Sequence, residues 1–176
     1  MIIQGKELEQ RAVEQVAELM CAAARTAPKG RGIDNLVVLV VKGRAKDQLV
    51  EEMKRIAKES GAQFFDRDAN CLEKTQLAVL LGQKVKPMGV NPCGYCGFNN
   101  CKENTEKSGL CAISIGDLGI AVSSAAAVAA EHHIDNRIMF SIGRAALNLA
   151  IFDDDVKIAY GIPLSVSGKS PFFDRS

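Results

Sequence analysis

Tryptophan is absent from this chain, and aromatic residues make up only 5% of it. A core anchored on large rings is therefore excluded. Ala, Val, Leu and Ile must supply most of the apolar volume, within a hydrophobic total of 47%. Histidine is scarce too, with His132 and His133 the only two. Neighbours on a helix point about 100° apart, so this pair cannot jointly chelate one metal there. The expected role is a helix-terminal histidine interacting with carbonyls, and no Ser/His/Asp arrangement stands out. An excess of one charge is also missing, since 22 Lys and Arg face 21 Asp and Glu for a net +1. No strong field points to nucleic acid or an anionic membrane.

Long apolar runs are lacking as well. None approaches the roughly 20 residues needed to span a bilayer. The first residues, "MIIQGKELEQRAVEQ", acquire charge within six positions and lack the apolar core of a signal peptide. These absences predict a cytoplasmic protein that binds neither nucleic acid nor membrane. The run Asp153, Asp154, Asp155 reads as a solvated turn.

At 176 residues the chain is one domain, 1–176. A folded chain of this mass exposes roughly 8,000 Å², having buried about 70% of its unfolded surface. Such a core needs no covalent staples. Its six cysteines therefore call for another explanation.

Leu8, Val13, Val16 and Met20 recur at helical spacing between Glu7 and Ala24. "APKGRGID" then breaks the helix, and "NLVVLVV" (35–41) reads as a buried strand. Leu49, Met53, Ile56 and Ser60 mark a second helix closed by Gly61. "TQLAVLLG" (75–82) is a second strand, followed by a loop over 84–92. Asp117 is the expected cap of a small-residue helix reaching Glu131, "IMFSIGRAALNLA" carries another helix, and 156–166 is a late strand. The pattern predicts a layered α/β or α+β fold with helices covering a sheet.

Embedded in it, residues 91–112 hold four cysteines, spaced Cys93-x2-Cys96-x4-Cys101-x9-Cys111. A Cys-x2-Cys pair lets one short loop present two thiolates to one metal centre. Gly94 and Gly97 flank the second ligand, where the chain must turn without a Cβ. Backbone N–H groups freed by such turns can donate to cluster sulfides, and Lys102 and Lys107 offset thiolate charge. Zinc knuckles of four cysteines usually bring two Cys-x2-Cys pairs, and here there is one. A 4Fe–4S cluster on Cys93, Cys96, Cys101 and Cys111 is thus the leading reading. A structural or regulatory zinc site without redox activity is the alternative, and four unmetallated thiols a third reading. Cys21 and Cys71 read as small interior hydrophobes.

"CGYCGFNNC" is similar to the Cys-x2-Cys-Gly-x3-Cys segment of small iron–sulfur domains in corrinoid-protein and electron-transport subunits. Over most of its length the chain resembles a family of bacterial and archaeal proteins described as ferredoxin-domain-containing. The stretches that carry this are "ARTAPKGRGIDNLVV", the cysteine module, "GDLGIAVSSAAAVAAEHHIDNRIMFSIG" and "YGIPLSVSGKSP". The order of elements also resembles the nitroreductase-like fold. "AARTAPKGRGIDNLVVLVV" has the outline of its Ala-Pro-Ser helix end, loop and strand, and "YGIPLSVSGKS" that of its closing strand and flavin-phosphate clamp. The resemblance implies an FMN-binding α+β homodimer with flavin at the subunit interface and an unidentified redox partner. Lys29, Arg31 and Lys169 are the cations it offers to the FMN phosphate. The chain departs from the family where Lys29 replaces its serine and Pro171 its clamp arginine.

Overall fold

Four antiparallel strands form the middle layer of the computed structural model, which describes residues 1–173. They are β1 (Leu36–Lys42), β2 (Leu77–Lys84), β3 (Asp135–Asn136) and β4 (Val156–Ser165), in the order β1-β2-β4-β3. β2 lies between β1 and β4, with Leu39 opposite Leu80 and Leu80 opposite Gly161. Because strand side chains alternate between faces, β2 feeds two cores. Leu77, Val79 and Leu81 join one of them, and Ala78 and Leu80 join the other.

On the first face pack α1 (Gly5–Thr26) and α5 (Ala112–Glu131). In α1 the buried Val13, Val16, Ala17, Met20 and Ala24 follow the helical period the sequence predicts. Its last turn is satisfied by Lys29, whose Nζ donates to the carbonyls of Arg25 (2.5 Å) and Ala27 (3.0 Å). The other face carries α2 (Arg44–Ser60), α3 (Gln63–Glu73) and α6 (Phe140–Asn148). Gly61 closes α2 in the left-handed conformation, φ +73°, where a Cβ would be strained.

Three local features differ from expectation. α3 was not signalled, since its N-cap is Ala62, which has no side chain to cap the helix. Its C-terminus is held by Lys46, buried, whose Nζ reaches the carbonyls of Leu72, Glu73 and Thr75. Within the cysteine module a short helix, α4 (Cys101–Glu106), forms where only loop was expected. Asn100 caps it by accepting from Glu103 N at 3.0 Å, and the Glu103 carboxylate accepts from Asn99 N at 3.0 Å. That reciprocal pattern is close to a capping box, so Asn-x-x-Glu was a legible signal.

The third difference is α5, which begins at Ala112 with Cys111 as its N-cap, not at Asp117. Asp117 sits in the second turn and spends its carboxylate on Gly30 N, at 3.1 and 3.0 Å. The added turn also makes α5 long and apolar enough, by length and composition alone, to cross a membrane. Its Leu118, Ala121, Val122, Ala125 and Ala129 are buried against α1 and the sheet, as in a core helix.

Candidate functional site

β2 ends at Lys84, beside the start of β1, and the chain then makes its excursion into residues 85–111. This segment and the first turn of α5 line an open cavity of about 430 Å³. Cys93, Cys96, Cys101 and Cys111 all line it. They come from three local structures: the turn at 93–96, the first residue of α4 and the N-cap of α5. Cys111 is buried and the other three are half-buried. Gly94 and Gly97 adopt φ +73° and +83°, as tight turns around the second cysteine require. The N-terminal end of α5 favours negative charge within its first turn, where Cys111 stands.

The sulfurs share a wall without closing into a coordination set. Among the described residues, no three His, Cys, Asp or Glu side chains stand close enough to hold a metal ion. Asn104 fastens the module from behind: its Nδ2 donates to Leu110 O at 3.2 Å, tying α4 to the residue before Cys111. Its Oδ1 is buried in the cavity wall with no partner. Lys107 donates to Glu103 at 2.7 Å, and with Asn99 it holds that carboxyl below its usual range.

Cys21 and Cys71 lie elsewhere, against opposite faces of the sheet. Cys71 is buried and its Sγ donates to Pro171 O at 3.3 Å; Cys21 is half-buried on α1. Burial pushes both thiols up, with Asp68 adding to the effect at Cys71 and Glu18 at Cys21.

The three cations expected at a flavin phosphate do not line this cavity. Lys29 is turned onto the end of α1, with 8% of its side chain exposed. Arg31 Nη1 donates to the carbonyls of Met88 (3.0 Å) and Gly89 (3.2 Å) in the cavity wall. Lys169 lies in the exposed turn after β4, where Ser167 Oγ donates to its carbonyl. His132 and His133 are exposed at the end of α5. Asp153 and Asp154 are exposed, but Asp155 pairs with Lys84 at 3.1 Å. The contacts of Met88, Asn104 and Asp117 had no sequence signal, because their partners lie far along the chain or in a loop whose shape the packing sets.

A three-layer antiparallel fold with a cysteine-lined excursion is the class of protein these features define. Solved structures share the fold. A nitroreductase with bound FMN from Desulfitobacterium hafniense DCB-2 superposes with a TM-score of 0.58 at 15% identity, over 96% of this chain and 81% of that one. An FMN-dependent nitroreductase from Mycobacterium smegmatis in complex with NADPH gives 0.58 at 15%, over 88% and 78%. A BluB-like flavoprotein from Clostridium difficile 630 gives 0.55 at 22%, over 89% and 85%. The fold is nitroreductase-like. An uncharacterized protein of Archaeoglobus fulgidus is 40% identical over 185 residues, spanning 100% of this chain and 98% of the relative. Residues 107–175 match the family described as uncharacterized proteins containing a ferredoxin domain (DUF2148). The chain belongs to that family.

Proposed function

We propose that this is a cytoplasmic electron-transfer protein holding one 4Fe–4S cluster on Cys93, Cys96, Cys101 and Cys111, coupled to FMN. The observation that carries the reading is that all four thiols, from three separate segments, share one cavity. Soft thiolate donors suit iron–sulfur clusters and zinc alike. The spacing, with a single Cys-x2-Cys pair, favours iron. A cluster supplies one-electron steps, which a flavin couples to two-electron chemistry. The chain's own part is to hold the ligands: Gly94 and Gly97 turn the first loop, and Asn104 ties the second to α5. Purified without oxygen, the protein is expected to be brown, with about four irons and four acid-labile sulfides per chain. Stoichiometric zinc without iron would sink the reading and leave a zinc module in its place.

FMN binding rests on the cations as well as on the fold. Lys29, Arg31 and Lys169 are the cations that the nitroreductase-like likeness offers to the phosphate. Lys169→Ala is expected to weaken FMN binding about tenfold in a fluorescence titration, a charge-assisted hydrogen bond being worth about 1.5–3 kcal/mol. A flavin titration with no fluorescence change for the native chain would leave a cluster carrier alone.

The assembly proposed is a homodimer through α5. Gly116, Gly119, Ile120, Ser123, Ala127 and Ala130 are exposed along one side of it, with no charge among them. The single chain exposes 9894 Å², against roughly 8,000 Å² for a compact chain of its mass. A two-fold partner is the commonest way to cover such a face. Ala127→Glu would strand a charge there and is expected to produce monomers, at a cost of several kcal/mol. Sedimentation checks it, and an undiminished dimer in that variant would move the interface elsewhere.

A further inference from the structure

One wall of the cavity is held by a segment whose cations the nitroreductase-like resemblance offers to a flavin phosphate. After α1 the chain makes a single 3-10 turn, Gly30–Gly32, in which Arg31 is left-handed at φ 55°, ψ 17°. Non-glycine residues adopt that conformation rarely, and only where the surroundings enforce it. Two contacts enforce it here. Gly30 N donates to both oxygens of the buried Asp117, on the second turn of the helix whose N-cap is Cys111. Arg31 Nη1 donates to the carbonyls of Met88 and Gly89.

The fit on both sides is tight. A Cβ on Gly30 would come within 2.8 Å of Ile113 Cγ2 and 3.5 Å of Met88 Cε. One on Gly89, itself at φ +66°, would come within 2.6 Å of Arg31 Nη1. Met88, Gly89 and Ile113 all line the cysteine cavity. The turn thus joins α5 to the loop that walls the thiols, although it lies more than 50 residues before that loop in the sequence.

We propose that the Gly30–Arg31 turn is the positioning element of the cysteine site, with Asp117 anchoring it to α5 and Arg31 holding the Met88–Gly89 wall. Arg31 then serves the cavity and not the flavin phosphate. The metal-loaded part of this inference rests on the cluster reading above, and the metal-free part does not.

The test uses the full chain carrying Arg31→Ala, Asp117→Ala or Asp117→Asn. In metal-free protein, the rate of maleimide labelling is followed at each cysteine by mass spectrometry. Both alanine variants are expected to label the four module cysteines several-fold faster, because the wall opens locally. Cys71, buried on the other face of the sheet, should label at its native rate. Asp117→Asn should behave as the native chain, since an amide oxygen still accepts from Gly30 N–H. In reconstituted protein the same alanine variants should bind iron about tenfold more weakly, as loss of an outer-shell support typically does. They should also shift the electron paramagnetic resonance spectrum of the reduced form.

Gly89→Ala attacks the same contact from the wall side, should Arg31→Ala fail to fold, and must give the same local pattern. Unchanged labelling of the four cysteines in both alanine variants would overturn the proposal. So would Cys71 accelerating in step with them, which reports general loosening. A tenfold loss of FMN affinity in Arg31→Ala with native labelling would make Arg31 a phosphate ligand and would also overturn it. A native chain that takes up no iron sinks the cluster reading, and the labelling then decides the positioning role by itself.

Discussion

Alanine at Cys93, Cys96, Cys101 or Cys111 is expected to strip most of the iron and visible absorbance from anaerobically purified protein. Each cubane corner needs its thiolate, and a structural metal site can contribute about 10 kcal/mol or more to the fold around it. The four positions should not be equal. Cys111 is buried and is the N-cap of α5, so losing it disturbs a helix that packs on α1 and the sheet. Cys93 and Cys96 sit in a half-exposed turn whose loosening stays local. Cys111→Ala should therefore show the lowest melting temperature of the set. Cys21→Ala and Cys71→Ala should keep their iron, since both thiols lie away from the cavity on opposite faces of the sheet. Iron loss in Cys71→Ala with retention in Cys111→Ala would overturn the ligand set.

The second large effect is structural. Gly143 on α6 faces β4 so closely that a Cβ there would overlap the Ala159 carbonyl and come within 2.7 Å of Tyr160 N. The obstacle is the backbone of β4 where it is paired with β2, so neither side can yield cheaply. Gly161 opposes it in kind, since a Cβ there would meet Ile142. Gly143→Ala is expected to cost about 3 kcal/mol or more. By the usual scaling for a chain of this size, that is a fall of roughly 10 °C in Tm. Gly5→Ala, outside the α5 face proposed as the dimer contact, is the control, because an added methyl at this first residue of α1 meets only Glu9 Oε1, at 3.9 Å. It should leave Tm close to native. A native Tm in Gly143→Ala would mean that α6 and β4 are farther apart than described.

The sequence alone determined what depends on local pattern. Val13, Val16 and Met20 had to share one helix face, and the β-branched run at 36–41 had to be a strand, because period and side-chain shape decide those. Cysteine spacing likewise marked the module, and the chain order of elements carried the nitroreductase-like fold. Helix α3 escaped because its first turn has no capping side chain, while α4 could have been read from Asn100 and Glu103.

Tertiary structure alone decided where the long-range polar groups go. Asp117 looked like a helix cap, and the fold instead aimed it at a backbone amide 87 residues away. Lys29 and Arg31 were the cations that the nitroreductase-like resemblance offered to a flavin phosphate. Packing turned Lys29 onto the end of its own helix and Arg31 onto the carbonyls of Met88 and Gly89. The physical reason is the same in each case. A charged side chain near the surface settles wherever unpaired carbonyls or amides are left over, and those are known only once helices end and loops close.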